Sequence, residues 1–379
     1  MLGKKIRVLV VDDTIVYRKA VSDILSEMRG IEVVGVAHNG KIAVAKIQTL
    51  KPDLLTLDIE MPIMNGIEVL QYLQQHAPQV SAIMVSTLTS EGGDMTMRAL
   101  ELGAYDFILK PSSTNIADSK QQLRLLLTPL IKAFQTGRTA VGAMQPGTSA
   151  RTPAPRPIAP GTKPATQQHA TGVSSRQRTD AKEMRRQGKS EIIAIGISTG
   201  GPNALAKMMP MLPGNLGVPI VIVQHMPPVF TKSLANSLNA KCALTVKEAK
   251  NGEPILANVV YIAPGGKQMK LVASTDGTNR LIRITDDPPE NSCRPSADYL
   301  FRSVADYYVG RATAVIMTGM GSDGTEGLKI LKEKGALIIG QDESSCVVYG
   351  MPKTPADIGL TDVVVPLNRI AGEVVKTVK

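Results

Sequence analysis

From residue 6 onward the chain alternates short, wholly apolar runs with longer stretches whose apolar positions recur at helical spacing. The first five runs, Ile6–Val11, Glu32–Ala37, Leu54–Leu57, Ala82–Ser86 and Ala104–Leu109, read as strands. Helical patterns lie between them near 15–28, 40–50, 66–76 and 92–102, and a last one at 119–134. Strands that are apolar throughout, rather than at alternate positions, suit a parallel sheet covered on both faces. Five such βα units predict an α/β domain over residues 1–135 with a five-stranded, flavodoxin-like parallel sheet.

The pattern stops near residue 136. Residues 136–190 are rich in Pro, Ala, Thr, Gln, Gly and Arg and show no apolar periodicity. Such a segment buries too little apolar surface to offset its ordering entropy, so it reads as a flexible basic linker. Its last stretch, Asp180–Gly188, is a candidate short helix. Alternation resumes with strands at Ile192–Ile197 and Pro219–Val223 and helices near 202–211 and 230–240. Four β-rich segments follow at 244–249, 258–262, 268–273 and 281–285, with the look of an antiparallel insertion. A helix near 296–308, a strand at Ala312–Met317, a helix at 325–334 and a strand at Ala336–Gly340 come next. The expectation for 191–379 is a second doubly wound α/β domain with a mostly parallel sheet and a small antiparallel insertion.

Composition narrows the function classes. At 43% hydrophobic and 20% charged the chain is ordinary core-forming protein. No apolar run reaches the ~18 residues of a membrane helix, and the basic-then-apolar start runs straight into Asp12 and Asp13, as a first strand does. A cytoplasmic protein that is not membrane-embedded is expected. Cys242, Cys293 and Cys346 lie far apart with no CxxC spacing, which argues for thiols rather than a disulfide framework or zinc site. The net charge of +10 invites a nucleic-acid partner, but ten Arg and Lys fall in the linker against only Asp180 and Glu183. The folded parts are thus close to neutral, and with no Trp and four Phe there is little to stack bases on. No nucleic-acid partner is expected.

Chemistry gathers at strand ends. Asp12 and Asp13 end the first strand, Asp58 the third, Ser86 the fourth and Lys110 the fifth, and ligands of open parallel sheets bind beyond these ends. A single Asp there reads equally well as a helix cap. Converging carboxylates, however, repel unless a cation sits among them, and Mg²⁺ is the hard ion that carboxylates and phosphate oxygens hold. Asp58 is then placed to take a phosphoryl group, with Lys110 offsetting its charge and the Ser86 hydroxyl bonding an oxygen. The phrases VLVVDD, LLTLDIEMPIMNG, MVS and LKP, in this order over residues 5–134, resemble the response-regulator receiver family. The resemblance implies phosphorylation of Asp58, metal binding by Asp12 and Asp13 with Asp58, a switch role for Ser86 beside Lys110, and a rotating aromatic at Phe107.

The second domain offers the parts of a serine hydrolase at its own strand ends. Gly196-Ile197-Ser198-Thr199-Gly200 follows the first strand and opens a helix, as in a G-x-S-x-G elbow, although alone it also describes a serine helix cap. Of four histidines only His225 ends a strand of this domain. Asp323 lies in TGMGSDGTEGL, residues 318–328. That segment also reads as the dinucleotide fingerprint Gly319-x-Gly321-x-x-Gly324, with Asp342 and Glu343 about twenty residues on. The fingerprint belongs on the first strand of a nucleotide-binding half, and it leaves Ser198 and His225 without a role. The order Ser198, His225, Asp323 differs from that of α/β-hydrolases, which changes the fold relative and not the chemistry.

AIGISTGGP, VQHMPPVFTKSLANSLN, YIAPGG, CRPSADYLFRSVA and TGMGSDGTEGL together resemble the chemotaxis protein-glutamate methylesterase family over about residues 191–377. The resemblance implies Ser198 as nucleophile, His225 as base, Asp323 as orienting carboxylate and the Met320 N–H in the oxyanion hole. Gln268, after YIAPGGK, departs from relatives that often carry histidine there. Also implied are hydrolysis of glutamate methyl esters on cytoplasmic segments of chemoreceptors, release of methanol, deamidation of receptor glutamines, and a chemotaxis histidine kinase as phosphodonor. The esterase step is expected to need no cofactor. The unphosphorylated receiver is expected to lie across the hydrolase cleft and to release it when Asp58 is phosphorylated.

Overall fold

The structure, a computed structural model, describes residues 5–111, 115–142 and 188–379, apart from the side chains of residues 116 and 137–142. Most of the expected linker, including the candidate helix at 180–187, lies outside the described residues.

The first unit alternates β1 (Ile6–Val11), α1 (Ile15–Ser26), β2 (Ile31–Ala37), α2 (Gly40–Leu50), β3 (Leu54–Asp58), α3 (Gly66–His76), β4 (Ser81–Ser86), α4 (Ser90–Glu101) and β5 (Asp106–Leu109). Its strands are all parallel in the order β2-β1-β3-β4-β5, the flavodoxin-like order. The closing helix α5 spans Ile116–Gly142 and so outruns the periodicity that ended at 134. It runs on through Gln135-Thr136-Gly137, where the Thr136 hydroxyl donates to the Lys132 carbonyl at 3.0 Å, a local bond that a helix accommodates.

The second unit is built on a seven-stranded sheet. Its elements run β6 (Ile192–Ile197), α6 (Gly201–Met208), a 3₁₀ turn at Met209–Met211, β7 (Ile220–Gln224), α7 (Phe230–Asn239), β8 (Thr245–Glu248) and β9 (Val259–Ile262). They continue with β10 (Gln268–Ala273), β11 (Arg280–Thr285), α8 (Ala297–Tyr307), β12 (Ala312–Ile316), α9 (Thr325–Glu333) and β13 (Leu337–Gln341). A 3₁₀ turn at Glu343–Ser345, then α10 (Lys353–Asp357), β14 (Val363–Val365) and α11 (Leu367–Val378), complete the chain. The sheet order is β14-β13-β12-β6-β7-β9-β8 and every pairing in it is parallel. Only β10 and β11 pair antiparallel, as a separate ribbon. The four β-rich segments therefore divide, with β8 and β9 extending the main sheet and the other two making the insertion. β6 is buried along its whole length and has β7 on one side and β12 on the other. The direction of winding reverses at β6, and its carboxyl edge is the crevice where α/β sheets hold ligands.

The two units share one continuous apolar core. α4 packs on α6 and α7, and the Phe107 ring of β5 stacks on Phe230 of α7 at 5.0 Å between centroids and 10° between planes. Among the described residues no helix is long and apolar enough to cross a membrane.

Candidate active site

Ser198, His225 and Asp323 follow β6, β7 and β12, three neighbours at the centre of the second sheet. The parallel register brings their carboxyl ends to one edge. Ser198 N–H donates to the Thr318 carbonyl at 2.9 Å and His225 N–H to the Ile197 carbonyl at 3.1 Å, so each turn is tied to the next strand. Gly319 passes close to the serine: a Cβ on it would lie 2.7 Å from the Ser198 Cβ, which only glycine avoids.

His225 Nε2 bonds Asp323 Oδ2 at 2.7 Å, which puts the Nε2 proton between them. Asp323 is 2% exposed and its charge is met by a helix end. The N–H groups of Ala297 and Asp298 reach it at 2.6 and 3.2 Å and the Ser296 hydroxyl at 2.7 Å, all from the start of α8. Asn291 Nδ2 adds a bond at 3.2 Å. Burial works against the carboxylate's charge, but His225 and these donors outweigh it and hold Asp323 well below the usual carboxylate range. Burial also opposes a charged His225, yet its bond to Asp323 and the nearby Cys293 lift it to about 9. The other ring nitrogen, Nδ1, lies 3.6 Å from Cys293 Sγ. Ser198, His225 and Met320 line one cavity of about 250 Å³. Among the described residues no protein acceptor receives the Met320 N–H.

The same cavity is walled by the first unit. Phe107, Leu109, Leu125, Leu126 and Pro129 face Ser198 and His225 across it. Asp106 Oδ2 accepts the Gly200 N–H at 3.0 Å, two residues past Ser198, and Asn203 Nδ2 donates to the Ala104 carbonyl at 2.9 Å. Burial pushes the Asp106 carboxyl up to about 6.

In the first unit Lys110 Nζ lies 2.6 Å from Asp58 Oδ2 and 3.1 Å from Asp12 Oδ2. Burial lifts Asp58 to about 6 and raises Asp12, with Lys110 pulling both back. Burial likewise opposes the Lys110 charge, but Asp58 and Asp12 outweigh it and raise its pKa. Oxygens of Asp12, Asp13 and Asp58 all lie within 4.8 Å of one another. Ser86 is buried at the end of β4, its Oγ accepting from Thr96 at 2.9 Å and lying 3.3 Å from the Gly92 carbonyl, so it is held by α4.

A family model described as the CheB methylesterase matches residues 193–374, and the response regulator receiver domain matches residues 8–128. A Desulfotalea psychrophila protein named protein-glutamate methylesterase/protein-glutamine glutaminase is 60% identical over 376 residues, covering 99% of both chains. The chain belongs to this methylesterase family. A Bacillus subtilis member of the same name is 42% identical over 376 residues, again covering 99% of both. Among solved structures, the Thermotoga maritima CheB methylesterase catalytic domain is 42% identical, with TM-score 0.48, covering 50% of this chain and 98% of that one. The response regulator domain of Thermotoga maritima CheB is 44% identical, with TM-score 0.31, covering 34% of this chain and 94% of that one.

The structure brings Ser198, His225 and Met320 around one cavity and places Asp323 on His225. The Gly-rich segment that resembles a dinucleotide fingerprint instead delivers Asp323 to His225, while Asp342 caps the turn at Ser345. Asn291, Cys293, Ser296, Gln224 and Asp106 do not stand out in the sequence as members of the site. CRPSAD carries Cys293 and Ser296, and VQHMPP carries Gln224 next to His225; Asn291 and Asp106 carry no signal.

Proposed function

We propose that this protein hydrolyses methyl esters of glutamate side chains on the cytoplasmic segments of chemoreceptors and deamidates glutamines there, under control of phosphorylation at Asp58. The carrying observation is the 2.7 Å bond between His225 Nε2 and an Asp323 carboxylate seated on the start of α8, facing the cavity that Ser198 lines. With Nε2 occupied, Nδ1 is the nitrogen that takes the Ser198 proton. Ser198 Oγ attacks the ester carbonyl, and the oxyanion meets the Met320 N–H. His225 returns the proton to the methoxide, which leaves as methanol. Water, deprotonated by His225, then cleaves the acyl-enzyme and frees the glutamate. With a glutamine side chain the same sequence releases ammonia.

The receiver's donor set of three carboxylates, without His or Cys, is one for a hard ion, and Asp12, Asp13 and Asp58 would hold Mg²⁺. When bound, the ion supplies charge neutralisation for phosphoryl transfer. Asp58 accepts the phosphoryl group, and Lys110 offsets its charge. A histidine kinase of the chemotaxis pathway is the phosphodonor, and the setting is cytoplasmic. Lys110 follows β5, whose Phe107 stacks on Phe230, so a shift of Lys110 toward the phosphoryl group pulls on the contact that covers Ser198.

Methanol release from methylated receptor membranes tests both halves. Ser198→Ala should lower it by on the order of 10³-fold or more. Asp58→Asn should keep the basal rate and lose its stimulation by a small phosphodonor with Mg²⁺. Unchanged release in the first variant, or persisting stimulation in the second, would overturn the corresponding half.

A further inference from the structure

Gln224, the last residue of β7, is 1% exposed and sits between the two catalytic turns. Its Nε2 donates to the Ser198 carbonyl at 2.9 Å and, at 3.3 Å, to the His225 carbonyl. Its Oε1 is buried, and among the described residues no donor meets it. A buried amide costs free energy to desolvate, so a side chain kept only for packing would be better as Leu or Met. What the amide provides in return is its donor. That single NH₂ group holds the backbone carbonyls of the nucleophile and of the base, 27 residues apart along the chain, from below the site.

The opposing element is cut to fit it. Gly201 opens α6, where alanine would be the better helix former. A Cβ there would fall 1.9 Å from Gln224 Oε1, 2.8 Å from its Cδ and 3.0 Å from its Nε2. The missing side chain at 201 is the space the amide occupies. Gly201 N–H meanwhile donates to the same Ser198 carbonyl at 2.7 Å, so two donors converge on that oxygen.

We propose that Gln224 is a positioning residue: its amide, housed by Gly201, locks the turns of Ser198 and His225 at the spacing that proton transfer needs. This rests on the reading of Ser198 as nucleophile and His225 as base. Gln224 touches neither reacting atom and acts through the two backbones. A misplacement of about 1 Å costs on the order of 10²-fold in rate without a matching loss of binding. The effect therefore belongs in kcat rather than in KM.

The test is a double-mutant cycle in the full-length protein, with kcat and KM read from methanol release on methylated receptor membranes. Gln224→Met removes the donor and the orphaned acceptor together at similar volume. It should lower kcat about ten- to a hundredfold, leave KM within about twofold and keep the melting temperature close to the parent's. Gly201→Ala should bring a similar kcat loss by evicting the amide, yet cost nothing further in a Gln224→Ala background. A kcat within twofold of the parent in Gln224→Met overturns the proposal. So does an equal cost of Gly201→Ala in both backgrounds, or a kcat loss that comes with a large fall in melting temperature. Ser198→Ala is run alongside: activity surviving there would fault the nucleophile itself, a different failure from that of Gln224.

Discussion

Both ring nitrogens of His225 have a neighbour, Asp323 on Nε2 and Cys293 on Nδ1, and both neighbours push its pKa above the ordinary 6.5. A general base works only when neutral. Activity is therefore present above the His225 pKa and lost as pH falls through about 9. The acidic limb of the pH–rate profile should lie above that of a free imidazole. Cys293→Ala removes one of the raising partners and should move that limb to lower pH, with kcat on the plateau unchanged or higher because Nδ1 is freed for Ser198. A limb that stays put in this variant would exclude the thiol as a partner of the base. Asp323→Asn should reduce kcat by on the order of 10³–10⁴-fold through loss of the tautomer it holds. At this scale the sequence is readable where a polar residue ends an apolar strand, which is how Ser198, His225 and Asp323 stand out. Gln224 carries the same mark at the end of the apolar run 220–223 but is overshadowed by His225 beside it, whereas Cys293 sits in an irregular loop and gains meaning only from a fold that brings it to His225.

At the level of elements, two helix and strand ends do most of the arranging. The start of α8 supplies two N–H groups and the Ser296 hydroxyl to Asp323, so the orienting carboxylate lies on a helix dipole. Ser296→Ala should weaken this seat and lower kcat modestly, with a smaller loss than Asp323→Asn. β5 does the rest, since within four residues it carries Asp106 on Gly200 and Phe107 on Phe230. A stacked aromatic pair is worth about 1 kcal/mol beyond its buried area. Phe107→Ala should thus shift the closed and open forms by about fivefold or more toward open, seen as a raised basal rate in the unphosphorylated protein. A basal rate equal to the parent's would remove Phe107 from the covering contact. Element types were legible because apolar runs and helical spacing are local. What was not legible was partnership: β8 and β9 look like the ribbon strands that follow them, yet they pair parallel with the sheet. β14, with three residues, is too short to announce itself, whereas α11 carries Ile370, Ala371 and Val374 at helical spacing.

Across the whole molecule, the receiver and the methylesterase share a core, and a carboxylate is buried at their seam. Among the described residues Asp106 has the N–H groups of Phe107 and Gly200 as partners, and burial raises it to about 6 from the ordinary 3.8. An acid whose pKa is raised by docking docks more readily when protonated. Docking is then strongest below about 3.8 and weakens as pH rises through about 6, after which it is constant. The covered cleft should open along that window even without phosphorylation. His225 titrates too, so the basal rate alone mixes both effects; the ratio of parent to Asp106→Asn separates them, because the asparagine stays neutral and His225 cancels. That ratio should climb between about pH 3.8 and about 6 and then level off. A flat ratio would mean that Asp106 stays buried whether or not the cleft is covered, and that the receiver lets go through Phe107 and its neighbours alone.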